Sequence, residues 1–571
     1  MNTDYLIIGT GVAGLSLAIQ LAERLPQKRI TLVTKSDIKD SNTYLAQGGI
    51  AVVSDSIQDS FINHIKDTID SGDGLSNPQV VDMVVRQAPD RIRELVSWGV
   101  QFDLNSNNTF HLAKEGGHSS NRIIHKGDFT GKEIINALVA RIKHYKNIQV
   151  KHHCMAIDLL KHPVLLSCEG ISVLNNRDYT IESIYAQKTV LATGGIGKVY
   201  QSSTNPEVAT GDGIAMAYRI GATISNMEFV QFHPSGLSGN GVLISEAARG
   251  EGGRLFNSEG ERFMDKYAPN AMELASRDVV SRAILNEIRE GRGVGPRKDA
   301  VFIDVTHLGK DLIMERLPEL RDLAITFLGL DMIKEPILIS ATAHYSMGGI
   351  PVNIAGNVRK NNTEFVEGFY AAGECSCVSV HGANRLGANS VLEALLFGRY
   401  VGKTMVEEVD NIELREATQE DAQTALDEID FILNNNGDET IPGLREELQQ
   451  CMTANAGAFR TKETLEIAVA KVKALRSRFK NICIKDKSKV FNTELQEAIE
   501  FGHMLDYSLF IVESAVARNE SRGAHYREDF ETRNDEEFLK HTMAYMDEKG
   551  EISLDYMDVV LGKHELRART Y

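Results

Sequence analysis

The chain has 571 residues, 42% of them hydrophobic and 25% charged, with a formal net charge of −17. That length holds two or three domains with cores of their own, and the acidic balance disfavours nucleic acid or an anionic membrane surface as a general partner. No apolar stretch approaches the ~20 residues of a membrane span, no basic leader precedes the first apolar run, and six cysteines are too sparse for a disulfide framework; a reduced, cytoplasmic protein is expected.

Tyr5-Leu6-Ile7-Ile8 is a short apolar run suited to a buried parallel strand. It leads into Gly9-Thr10-Gly11-Val12-Ala13-Gly14, a GxGxxG pattern, and then into a helical stretch from Leu15. In such a turn Gly9 permits the tight bend, Gly11 lets backbone approach a pyrophosphate, and Gly14 lets helix pack on strand. The helix start offers free N–H groups to the phosphates. A second strand, Ile30–Thr34, ends at Lys35, where such folds usually carry an acidic ribose partner. Dinucleotide binding is the reading, with a fortuitous glycine-rich turn as its alternative. Ser41-Asn42-Thr43-Tyr44-Leu45-Ala46-Gln47-Gly48-Gly49 is small, polar and glycine-rich, and suits a loop laid against the cofactor.

Pro78–Trp98 and Thr130–Tyr145 have helical periodicity, and Val150–Leu160, Val164–Val173 and Ile181–Ala186 read as strands. Two more glycine-terminated strands follow, at Lys188–Gly195 and at Gly368–Glu374, with Thr210-Gly211-Asp212-Gly213 opening a helix between them. Their order predicts an α/β architecture: a Rossmann-like nucleotide-binding domain over residues 1–228 and 345–410, interrupted by an α+β capping domain over 229–344. From 411 to 571 glycine thins out and charged helices take over (Thr418–Leu433, Gly443–Met452, Lys462–Lys480, Thr493–Asn519), which predicts a separate helical domain.

Several side chains around the insertion could do chemistry. His233 precedes a proline and is therefore extended, Glu246 and Arg249 lie three apart, Arg277 begins a helix, His344 follows Ala343, and Arg385 sits in the glycine-rich His381–Ser390 loop. Singly, each is as readily a surface charge, a satisfied polar group or, for Glu246 and Arg249, a helical pair. Together, two arginines and two histidines beside the cofactor would hold a small dicarboxylate by charge-assisted hydrogen bonds. No spacing of His, Cys or Asp gives a metal site.

These motifs resemble the flavoprotein superfamily of succinate dehydrogenase, fumarate reductase and L-aspartate oxidase. The resemblance covers nearly the whole chain and rests on TGDG at 210–213, EFVQFHP at 228–234, ARGEGG at 248–253, SRD at 276–278, HYSMGG at 344–349, HGANRLGANS at 381–390 and SRGAHYREDF at 521–530. It implies FAD as the cofactor, met by the Gly9–Gly14 turn, Lys35, the Asn42–Gly49 loop, Asp212, Glu374, Ser390 and Val391. It further implies that His233, His344 and Arg385 bind carboxylates, and that Arg277 handles the proton with Glu246 and Arg249 on its route.

Within that superfamily the middle and C-terminal half look like the succinate and fumarate enzymes, and the first 150 residues look like L-aspartate oxidase. Asn42 occupies the position of the histidine that binds FAD covalently in membrane-linked members, so the FAD is expected to be non-covalent. Glu115, in Glu115-Gly116-Gly117-His118-Ser119, matches the aspartate-oxidase glutamate that faces the substrate ammonium. The expectation drawn is L-aspartate oxidation to iminoaspartate, with oxygen or fumarate as acceptor and a link to quinolinate synthase in NAD synthesis. The alternatives are a fumarate reductase or succinate dehydrogenase flavoprotein subunit docked on an iron–sulfur subunit, and a flavin-binding assembly protein.

Overall fold

The strand Asn2–Ile8 ends in four buried residues, and a strand enclosed on both faces belongs inside a parallel sheet. In the computed structural model, which describes residues 1–54, 57–162, 165–408, 422–488, 490–562 and 569, it lies between Ile30–Val33 and Ile181–Leu191, parallel to both. Ile148–Lys151 extends the sheet on one side and Phe365–Ala371 on the other, again in parallel. Phe365–Ala371 thus returns to the sheet after a long excursion, as an interrupted domain requires. Cys154–Lys161 and Cys168–Asn175 form an antiparallel hairpin that joins Ile181–Leu191. The second of these strands begins at Cys168, whereas its expected start, Val164, lies outside the described residues.

One close approach positions everything that follows. The helices Val12–Arg24 and Asn389–Glu407 pack at glycines: a Cβ on Gly398 would sit 2.6 Å from the Ala13 carbonyl oxygen and 2.5 Å from Ser16 Oγ. With no side chain between them, the helices run together and both N-termini reach the same cavity.

The excursion is a second unit with its own core, running from Leu237 through Val280, Ile303 and Leu320 to Ile339. Its antiparallel sheet has the order Val230–Leu237, Ile337–Ser346, Val301–Asp304, Arg254–Phe256. The register between the first two strands slips on both sides of Phe232-His233. Such bulges re-aim side chains, here at His233, whose neighbour Pro234 has no N–H to give the ladder.

The boundary expected at 410/411, and the expected helix start at Thr418, lie outside the described residues. Beyond them come the helices Gln423–Asn434, Ile441–Asn455, Lys462–Phe479 and Thr493–Ala517. The region is not helical to its end. Lys540–Met546 and Ile552–Asp558 form a hairpin whose first strand pairs with Ile224–Ser225 of the first domain. Among the described residues no helix is long and apolar enough to cross a membrane.

Candidate active site

Two uncapped helix starts face one cavity. Neither Gly11 nor Ala388 supplies a side-chain cap to the helix it opens; the Val12 amide donates to Thr43 Oγ1 at 3.3 Å, and the two positive dipole ends point at whatever is bound there. Of the expected cofactor residues, all but Gly14 and Tyr44 line this cavity. Gly14 works behind it: a Cβ there would lie 2.1 Å from the Gly9 carbonyl oxygen, and one on Gly9 would lie 2.1 Å from that of Ala192. Gly11 differs, since its Cβ would meet only Thr43 Oγ1 at 3.5 Å, an ordinary contact. The space beside Gly11 is left for a ligand. The Tyr44 ring turns toward Lys39 instead.

The wall fits FAD. Thr10 Oγ1, Asn42 Oδ1, Gln47 Oε1 and Thr193 Oγ1 are buried on it without a protein partner, and buried polar atoms are left so only where something else satisfies them. Asn42 Nδ2 donates to Glu374 Oε2 at 2.7 Å. Lys35 and Asp212 line the cavity, but their charges are spent on each other. Lys35 Nζ donates to Asp212 at 2.7 Å and Glu500 at 2.9 Å, and His503 adds a 3.0 Å contact to Asp212. Burial penalises the Asp212 charge, yet Lys35 and His503 outweigh it and hold the carboxyl below its usual range. Lys35 therefore anchors the Thr493–Ala517 helix to the sheet rather than replacing an acidic ribose partner.

At the far end the cavity meets the insertion, where Arg277, Arg385, His233, His344, Glu115 and Glu246 converge. Arg385 donates to Ser390 Oγ at 2.6 Å and to His344 Nε2 at 2.9 Å, while its buried Nε has no partner. A guanidinium can only donate, so His344 Nε2 accepts and its proton sits on Nδ1, given to Thr204 Oγ1 at 2.7 Å. The Ser235 amide donates to His233 Nδ1 at 3.2 Å, which puts the His233 proton on Nε2. Burial, and then the Arg277 charge, push both imidazoles well below their usual range. Both are neutral donors at neutral pH.

Arg277 is held from three sides. Its Nε donates to Glu246 at 2.6 Å, Nη1 to Gln231 at 3.3 Å and Nη2 to Glu115 at 3.4 Å. The two acids differ sharply. Burial disfavours the Glu246 charge, but Arg249 and Arg277 hold it at about 2. Burial and then Glu246 push Glu115 up to about 7. Arg249 does not line the cavity; fully buried, it acts through Glu246, 3.1 Å from its Nη2.

Three residues of the site escaped the sequence reading. Thr204 accepts the His344 Nδ1 proton that Arg385 dictates, and Gln231 links Arg277 to Asn384 Oδ1 at 2.8 Å and to the Arg385 carbonyl at 2.7 Å. Gln231 and Asn384 stand inside the EFVQFHP and HGANRLGANS motifs, which was their only signal; Thr204 had none.

A family model described as an FAD binding domain matches residues 4–391, and one described as the fumarate reductase flavoprotein C-terminus matches 445–571. The chain is 41% identical to the succinate dehydrogenase flavoprotein subunit of Rickettsia conorii, over 98% of this chain and 95% of that protein. It is 37% identical to the fumarate reductase flavoprotein subunit of Escherichia coli, over 98% of this chain and 94% of that one. A solved chain of Escherichia coli quinol fumarate reductase superposes with a TM-score of 0.94 at 36% identity, covering 100% of this chain and 98% of that chain. These relatives overturn the aspartate-oxidase expectation, since the similarity spans the first 150 residues as well as the rest. The link to quinolinate synthase and NAD synthesis falls with it. Glu115, which had argued for a substrate ammonium, already has a cationic partner in Arg277.

Proposed function

The chain belongs to the succinate dehydrogenase/fumarate reductase flavoprotein family and binds FAD, and we propose that it interconverts fumarate and succinate as the flavoprotein subunit of a larger enzyme. The observation that carries this reading is the cluster at the end of the FAD cavity, where Arg385 keeps a buried Nε without a protein partner beside two neutral histidines and Arg277.

Arg385 binds one carboxylate through Nε and its terminal nitrogens, a bidentate fork that lysine could not offer. His233 donates from Nε2 to the substrate, and Arg385 holds His344 in the tautomer whose Nε2 accepts, with Thr204 receiving the Nδ1 proton. The bound FAD supplies hydride exchange with one substrate carbon. Arg277 holds the proton for the other carbon at its Nη atoms, so fumarate gains one hydride and one proton to become succinate. A guanidinium stays charged to about pH 12. Glu246, hydrogen-bonded to Arg277 Nε at 2.6 Å, helps return the proton that Arg277 gives up. Closure of the inserted unit over the substrate excludes water. FAD is held without a covalent bond, because Asn42 stands where a linking histidine would. The chain works at the cytoplasmic face, and the iron–sulfur subunit exchanges electrons with it.

Anaerobic mixing tests the reading. Dithionite-reduced, FAD-loaded protein should be reoxidised by fumarate, and L-aspartate should leave the oxidised protein unbleached. Protein that fumarate leaves reduced and succinate leaves oxidised would end the proposal.

A further inference from the structure

This inference rests on the dicarboxylate reading above. Three guanidinium groups, Arg249, Arg277 and Arg385, face two carboxylates, Glu115 and Glu246, in one buried cluster. A dicarboxylate dianion brings two more negative charges. With both glutamates ionised, four negative charges oppose three positive ones away from water, where an uncompensated charge is expensive. With one glutamate protonated, the charges cancel.

The two acids are not equal candidates for that proton. Glu246 accepts from Arg277 Nε at 2.6 Å and from the Gly116 amide at 2.7 Å, with Arg249 at 3.1 Å. Among the described residues Glu115 has a single donor, Arg277 Nη2, at 3.4 Å. Its other surroundings are two glycines: a Cβ on Gly48 would come within 2.6 Å of Oε1, and one on Gly387 within 2.4 Å of Oε2. The carboxylate fills the room that these glycines leave, and it is 3% exposed. A substrate carboxylate that draws on Arg277 weakens the one hydrogen bond that favours the Glu115 charge, and one that draws on Arg385 screens a second stabilising cation.

We infer that Glu115 takes up a proton from solvent when a dicarboxylate binds, so that this chain binds its substrate together with one proton. Arg277 comes from the Arg277–Glu287 helix, Glu246 and Arg249 from the segment at 246–250, Arg385 from the loop before Asn389–Glu407, and His118 from Glu115's own loop. His233 and His344 come from the bulged strand pair, and the 41–49 loop contributes only neutral Gln47. Burial and Glu246 already bring the free-state Glu115 carboxyl to about 7, so it is ionised at pH 8 before the ligand arrives. The histidines and Glu374, which lines the same cavity and is itself pushed up to about 7 by burial, are the competing acceptors.

Calorimetric titration of the oxidised, FAD-loaded protein with malonate, at pH 8 in two buffers of different ionisation heat, counts the protons. Wild type should take up about one proton per malonate, and its Kd should rise about tenfold from pH 8 to 9. Glu115→Gln should take up none, with a Kd flat over that range. Uptake that persists in Glu115→Gln places the proton on a histidine or on Glu374 and overturns the inference. Binding by wild type without uptake overturns it with no variant needed. Malonate that fails to bind at every pH removes the dicarboxylate reading, and the inference with it.

Discussion

Asn42 and Glu374 meet in the cofactor wall, joined by a hydrogen bond of 2.7 Å. Burial pushes the Glu374 carboxyl up to about 7, against hydrogen bonds from Asn42 and the Ser346 amide. Glu393, also buried, is pushed up to about 8 by burial and by Glu374. Asn42 therefore contributes a donor that a crowded pair of acids needs, and it turns its own unpartnered Oδ1 to the cavity. A carboxamide forms no bond to a flavin, so acid precipitation should leave the FAD in the supernatant; flavin in the pellet would contradict this. Replacing Asn42 by Ala strands one Glu374 oxygen, a loss of about 1–3 kcal/mol, or roughly ten- to a hundredfold in FAD affinity. Fluorescence titration of the apoprotein measures it, and an unchanged Kd would remove Asn42 from this role.

The inserted unit is docked by an element-scale device. Its helix Pro318–Leu328 has no cap of its own; Asp128, in the first domain, accepts from the Leu320 amide at 2.8 Å and the Glu319 amide at 3.3 Å. Burial raises the Asp128 carboxyl from 3.8 to about 6, and these amides only partly offset it. An acid whose folded pKa is raised binds its proton more tightly in the folded state, so its contribution to stability falls as pH rises from about 4 to 6 and is level above. Asp128→Asn keeps an acceptor oxygen and loses the titration. The thermal inactivation half-life of wild type relative to this variant should therefore shorten between pH 4 and 6; parallel profiles would refute the assignment. Asp128→Ala should cost about 1 kcal/mol, as loss of a cap does. None of this is legible in the sequence, because a cap is read from its neighbours and Asp128 serves a helix in a different domain. The Gly9–Gly14 turn is legible because its spacing is itself a pattern, even though the Ala192 carbonyl that crowds Gly9 lies far along the chain. His233 and Arg385 can be read from their motifs, but the tautomers of the two histidines depend on Arg385 and the Ser235 amide in three dimensions. The hairpin Lys540–Asp558 is hidden because four consecutive residues of its first strand are buried, which erases the alternation that marks a strand.

Across the whole molecule, the C-terminal region is tied to the site by charges rather than by apolar packing alone. Arg518 donates to Glu228 at 2.7 Å and Glu520 at 2.9 Å, and Arg522 donates to Glu520 at 2.7 Å, all essentially unexposed. Glu228 opens the EFVQFHP segment that carries His233, and Arg460 donates to the Glu228 carbonyl at 2.7 Å. The acidic surface implied by a net charge of −17 thus hides a basic interior joint. Such a joint adds little over an apolar one when complete, but removing one partner strands the others. Arg518→Ala leaves Glu228 and Glu520 buried with less compensation and should cost about 3–5 kcal/mol. Asp535, which pairs with Arg522 at 2.8 Å, keeps a 34% exposed side chain, and Asp535→Asn should cost less than about 1 kcal/mol because water replaces the lost charge. A protein of several domains unfolds in more than one step, so the comparison belongs on thermal inactivation half-lives of the FAD-loaded protein rather than on one midpoint. Arg518→Ala should shorten the half-life far more than Asp535→Asn and release FAD as it does. Equal effects of the two would mean that the buried joint carries no more than the rim.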